Sequence, residues 1–154
     1  MTSFTIVYDR FFGKITDDLY LELTPEDTQR DLQTLLIDSV PAFEFPRQSM
    51  KYVIQTTEGN DTSYFESDLS DEEVNILALL MKNAWLNRQI TSIENTRQKY
   101  SGSDFKMTSQ ANHLAKLLNL LEEAQRESFH MQRLYKRRKA SKDGSYESTW
   151  SMFR

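Results

Sequence analysis

The chain has 154 residues, a net charge of −4 and no cysteine. That length fits one domain able to bury its own core, and the missing thiols exclude disulfides, thiolate catalysis and cysteine-based zinc sites. Nine Phe, seven Tyr and two Trp argue for a folded chain over a disordered one.

The absence of cysteine fits an intracellular origin. Residues 1–20 carry polar and acidic positions throughout, so no secretory signal is expected. The longest apolar run, Ile76-Leu77-Ala78-Leu79-Leu80-Met81, is far shorter than the roughly 20 residues a membrane span needs. Charge is unevenly placed. Residues 1–80 hold 16 acids and 5 bases, a balance of −11, whereas residues 81–154 hold 7 acids and 14 bases, a balance of +7. Such polarity suits head-to-tail packing of identical subunits, and equally the folding of one half onto the other within a monomer.

In chain order, residues 3–13 predict a first helix. Ser3 can cap it, Phe4, Val7, Tyr8, Phe11 and Phe12 follow helical spacing, and Gly13 ends it. Thr16-Asp17-Asp18 opens a turn. Thr24-Pro25-Glu26-Asp27 is a helix start, with Thr as cap, Pro in the first turn and acids where the helix dipole favours them. Leu32, Leu35, Leu36 and Val40 give that helix its buried stripe, and Pro41 stops it. Phe43-Glu44-Phe45-Pro46 reads as extended. Residues 50–66 predict a β-hairpin: Met50, Tyr52 and Ile54 alternate, 58–61 turn, and Ser63-Tyr64-Phe65 returns. A lone hairpin is marginal in water, so it must lie on the helices or pair with a neighbouring subunit's strand.

Residues 70–139 dominate the chain. Neither Pro nor Gly occurs in 70–100 or in 103–139, and helix interiors tolerate those residues worst. Two long antiparallel helices are therefore expected, folded back at Tyr100-Ser101-Gly102-Ser103-Asp104. Ser70-Asp71-Glu72-Glu73 is a capping box. Val74, Ile76, Leu77, Leu79, Leu80, Met81 and Trp85 make the following segment apolar around most of its girth, hence central. Ile90, Ile93 and Tyr100 continue as a narrower stripe. In the last helix Leu114, Leu117, Leu118, Leu121, Ala124, Gln125, Ser128, Met131, Leu134 and Tyr135 recur near 3.5-residue spacing, a narrow seam; part of so long a helix should stand out from the core, and its end from Arg133 onward is expected to meet the rest of an assembly. From residue 140 a linker leads to a C-terminal arm ending Trp150-Ser151-Met152-Phe153-Arg154, which docks either on its own subunit or on a neighbour. The fold class expected is mainly α: a helical domain over 1–139 with a long helix hairpin and one small β-hairpin, followed by an extended arm over 140–154.

Candidate sites are few. His113 and His130 lie about 25 Å apart along one helix and cannot share a metal, so no metal or cofactor is expected. With no Gly-rich loop, G-x-S-x-G or H-E-x-x-H, the chain reads as a non-enzyme. The basic cluster Arg133, Lys136, Arg137, Arg138, Lys139 and Lys142 exceeds what a helix C-terminus needs. It fits a phosphate-binding patch with Tyr135 available to stack, and it fits equally a salt-bridging surface for the acidic half of another subunit.

Leu69-Ser-Asp-Glu-Glu-Val-Asn-Ile-Leu-Ala78, Trp85-Leu-Asn-Arg-Gln-Ile-Thr-Ser-Ile-Glu-Asn-Thr-Arg97, Lys99-Tyr-Ser-Gly-Ser-Asp-Phe-Lys-Met-Thr-Ser-Gln-Ala-Asn112 and Arg133-Leu-Tyr-Lys-Arg-Arg138 together resemble the small helical connector (adaptor) proteins of tailed-phage necks. The resemblance covers roughly residues 69–154. It implies a virion structural protein, made in the host cytoplasm, that forms a ring of twelve copies between portal and tail and lets DNA pass. Its partners would be further copies, the portal protein, adjacent neck or tail proteins and genomic DNA in the lumen, with no membrane. Interface residues on this reading are Arg133, Tyr135, Lys136, Arg137, Arg138, Lys139, Trp150, Met152 and Phe153. The alternative is a helical nucleic-acid-binding packaging or regulatory protein that uses Lys136, Arg137, Arg138, Lys139 and Lys142.

Overall fold

The computed structural model describes residues 1–15, 23–57, 59–99, 107–140 and 146–148. The protein is mainly helical with a small antiparallel sheet, and its two long helices pack together. Chain order runs β1 (Thr2–Ser3), α1 (Phe4–Phe12), α2 (Pro25–Ser39), a 3₁₀ turn (Val40–Ala42), β2 (Tyr52–Val53), β3 (Thr56–Thr57), β4 (Asn60–Asp61), β5 (Tyr64–Phe65), α3 (Asp71–Lys99), α4 (Met107–Arg137), β6 (Arg138–Ala140) and β7 (Tyr146–Ser148).

The helix starts follow their capping chemistry. Ser3 accepts from the Thr5 amide, and Thr24 from the Asp27 amide with Pro25 in the first turn. At α3 the box closes in both directions: the Glu73 amide donates to Ser70 Oγ at 3.3 Å, and the Ser70 amide donates to Glu73 Oε2 at 2.8 Å. Gly13 ends α1, its amide donating to carbonyls of the last turn. Pro41 lies within the 3₁₀ turn that closes α2.

The 50–66 hairpin forms as four two-residue strands. Its outer part pairs Thr56 with Asp61 and Thr57 with Asn60 around Gly59, whose φ of 80° favours glycine. Its inner part pairs Tyr52 with Phe65 and Val53 with Tyr64. The marginal hairpin gains a third strand from its own chain: β1 joins β5, Thr2 opposite Phe65 and Ser3 opposite Tyr64, giving the order β1-β5-β2. It also lies on α2. Gln33 Nε2 donates to Ser63 Oγ at 3.0 Å, and the Asp61 amide donates to Gln29 Oε1 at 3.0 Å.

One core collects Phe4, Val7, Tyr8 and Phe11 of α1, Leu32, Leu35 and Leu36 of α2, Phe43, Phe65, Val74, Ile76, Leu77, Ala78, Leu80 and Met81 of α3, and Tyr135 of α4. Every residue of 76–81 is buried, so this half of α3 is enclosed on all sides, as its apolar girth requires. A second, smaller cluster joins Leu86 and Ile90 of α3 to Leu117 and Ala124 of α4. Trp85 packs against both clusters. The helices run antiparallel: α3 begins where α4 ends.

The last turns of α4 are its anchored end, tied to the first turn of α3 through Tyr135 and Glu73. Strand β6 spans the expected boundary at residue 139: Arg138, Lys139 and Ala140 pair with Ser148, Glu147 and Tyr146. Phe43 to Pro46, expected as an extended segment, contains no strand, and Phe45 takes a left-handed φ of 56°. The expected turn at 16–18 and the helix-joining loop at 100–104 lie outside the described residues. Among the described residues no helix is long and apolar enough to cross a membrane.

Candidate functional site

The densest chemistry lies where the first turn of α3, the last turns of α4 and the loop after the 3₁₀ turn meet. The helix hairpin puts the positive end of α3 beside the negative end of α4. Acids Asp71, Glu72 and Glu73 crowd the first, and bases Lys136 and Arg137 the second. Glu73, 1% exposed, is the centre. Its Oε1 accepts from Tyr135 Oη at 2.5 Å and from the Gln48 amide at 3.3 Å. Its Oε2 accepts from the amide and hydroxyl of Ser70 at 2.8 and 3.0 Å.

Burial opposes the Glu73 charge, but the bonds from Tyr135, Ser70 and Gln48 together outweigh it and hold the carboxyl below its ordinary range. Tyr135 moves the other way: burial, then the bond to Glu73, push its phenol above the usual tyrosine value. The pair is therefore a carboxylate and a neutral phenol, sealed from solvent. Its chemistry is fastening.

The loop completes the fastening. The Arg47 amide donates to Tyr135 Oη at 2.8 Å, and the Arg47 guanidinium lies over the Tyr135 ring, 4.1 Å from its centre. The same guanidinium donates to the carbonyl of Tyr135, one of those a helix end leaves without an intrahelical partner, and to that of Arg138, the first residue of β6. The Glu44 amide donates to Gln132 Oε1 at 2.7 Å. Arg138 pairs with Glu72 at 3.2 Å, while the second oxygen of Glu72 is buried without a partner.

The predicted basic cluster is thus divided by this geometry. Tyr135, 1% exposed, is spent inside the chain and offers no face for a base to stack on. Arg138 is half-engaged with Glu72. Arg133, Lys136 and Arg137 are exposed. Lys139 lies in β6. Lys142, Trp150, Met152 and Phe153 lie outside the described residues; of the arm, Tyr146–Ser148 forms β7 against β6.

Two exposed aromatics escaped the sequence reading. Phe129 is 54% exposed with the Arg133 guanidinium 5.7 Å from its ring centre, and Phe45 is 63% exposed with Lys136 Nζ at 4.0 Å. A signal existed for the first: Phe129 is out of step with the seam residues Ser128, Met131 and Tyr135, so the helical period turns it outward. For the second there was none, because its left-handed backbone is a property of the loop. A bulky residue there costs about 1–2 kcal/mol, and the exposed ring recovers little of this by burial.

Elsewhere, Tyr8 donates to Asp61 Oδ2 at 2.8 Å, and burial, then this bond, raise its phenol well above the ordinary value. His113 and His130 are both exposed on α4, and no cluster of three or more metal-ligating side chains occurs among the described residues. No family model, curated protein or solved structure matches the chain.

Proposed function

We propose that this protein is a structural assembly subunit, a ring-forming connector of a phage neck that joins portal and tail and leaves a passage for DNA. The observation that carries this reading is the separation of charge, −11 over residues 1–80 and +7 over 81–154, combined with an exposed basic row at the fastened end of α4. Complementary faces on one chain are what head-to-tail ring packing uses. The hairpin supports the same reading, since a helix of about 30 residues reaches about 45 Å and lets a short chain span its neighbours.

The nucleic-acid reading keeps Lys136 and Arg137 as exposed cations but loses Tyr135 as a stacking group. Acids Glu122, Glu123 and Glu127 are exposed on the same helix and would face any long phosphate track there. Negative-stain imaging and co-sedimentation with the portal protein test the connector. Rings that pellet with portal are expected; a chain that stays monomeric and ignores portal overturns the reading.

A further inference from the structure

We infer that the row Phe129, Arg133, Lys136 and Phe45 docks into the cleft between α1 and α2 of a second copy of this chain. The inference rests on the ring-forming reading and names the two surfaces that would meet.

The row comes first. Phe129, Arg133 and Lys136 stand at i, i+4 and i+7, one face of α4 about 10 Å long, and Lys136 carries the row onto Phe45 of the neighbouring loop. Neither Arg133 nor Lys136 forms an ion pair among the described residues. Each cation caps an aromatic ring that is more than half exposed. Phe and Arg are enriched at protein interfaces relative to the rest of the surface. The left-handed backbone at Phe45 points the same way, since strain of this type persists where the surroundings or a partner make use of it.

The complement is on the other half of the chain. Thr5, Tyr8, Phe12, Leu23, Pro25 and Leu32 line a cleft of about 380 Å³ between α1 and α2. The cleft is an open groove whose apolar lining is interrupted by Thr28 and Gln29, a seat for the face of one phenyl ring with polar groups at its rim. The cleft's acid is Asp9, exposed and without an ion pair among the described residues; Glu26, next to Pro25, is exposed likewise. An aromatic ring entering the cleft would bring its capping cation to these carboxylates. Row and cleft are different surfaces built from different elements, so the contact is head-to-tail and propagates to a closed ring or a filament.

Charge exchange tests this on the full chain by sedimentation. R133E/K136E and D9K/E26K are each expected to weaken self-association by about tenfold or more, while both stay folded and unfold cooperatively, somewhat below the parent because Glu26 and Lys136 sit at helix ends that favour their charge. Combining all four changes in one chain, or mixing the two double variants, is expected to restore assembly, a rescue that misfolding cannot produce. If the parent assembles and both double variants assemble as it does, the inference falls while the ring reading stands. If each variant fails and the combination is not rescued, the inference falls likewise. A parent that is monomeric alone but forms rings on portal overturns self-docking only; one inert in both assays overturns both. Salt-sensitive binding of a labelled single-stranded oligonucleotide, lost in R133E/K136E with assembly unchanged, would assign the row to nucleic acid instead.

Discussion

The two ends of the helix hairpin are built on different principles. At the fastened end, α3 is enclosed by α1, α2, the loop after the 3₁₀ turn and α4, and a buried carboxylate sets the position of α4 through Tyr135. Beyond Trp85, α3 and α4 share a thin seam of Leu86, Ile90, Leu117 and Ala124. Apolar packing alone tolerates small rotations of one helix on another, whereas a buried hydrogen-bonded carboxylate accepts one arrangement. Stability and register should therefore concentrate at one end, leaving the other to open more easily.

Matched truncations probe that contrast most strongly. Leu77 is fully buried in the large core and Leu117 is 7% exposed in the seam. Leu77→Ala should cost about 4 kcal/mol and Leu117→Ala about 2 kcal/mol, the upper and lower parts of the usual range for such changes. Denaturant unfolding measures both. Equal costs would mean that the seam is as tightly held as the core and would end the distinction. Amide exchange sharpens it: protection should be greater over 74–85 than over 86–95.

Removing the fastening comes next in size. Glu73→Ala leaves Tyr135 Oη, the Ser70 amide and the Gln48 amide without their acceptor and should cost about 3 kcal/mol. Tyr135→Phe removes one of the four donors and should cost about 1.5–2 kcal/mol. Because both changes break the same bond, the double variant should lose less than the sum, and an additive result would show that the bond contributes nothing of its own. The carboxyl also writes a pH signature. Its folded pKa is below the ordinary value, so its contribution is complete above the unfolded glutamate pKa of about 4.3. That contribution is lost as pH falls through the folded value. The stability gap between the parent and Glu73→Gln should narrow on acidification below about pH 4; a gap that widens there would reverse the assignment of the charged form.

Much of the frame was legible in the chain because it is local. The capping residues Ser3, Thr24 and Ser70, the breakers Gly13 and Pro41, and the girdle from Val74 to Met81 act within a few positions. What stayed hidden is long-range or brief. Glu73 announced its cap on Ser70 but not its bond to Tyr135, 62 positions away. Thr2 and Ser3 form a strand too short for any alternation to register, although they give the hairpin its third member. The pairing of Arg138 with Ser148 crosses a Ser/Lys/Gly segment whose composition reads as a linker. In the basic cluster the charge was visible, yet which members face outward depended on helix phase: one step places Tyr135 inside and Lys136 outside.

Phe45→Gly makes the smallest change and separates holding from docking. Glycine accepts a φ of 56° freely, recovering about 1–2 kcal/mol of backbone strain. Against this stand about 0.5–1 kcal/mol for the greater freedom of glycine in the unfolded chain and about 0.5 kcal/mol for the lost Lys136–ring contact at an exposed site. The net is near zero, so unfolding should shift by less than about 1 kcal/mol. If Phe45 served the fastened core, as Phe43 does at 5% exposure with its ring 5.5 Å from Tyr135, the loss would instead approach the 3 kcal/mol or more typical of a buried aromatic. An unchanged melting curve with weakened self-association would place Phe45 on the docking side of that line, one residue beyond a neighbour, Glu44, whose amide is tied to α4.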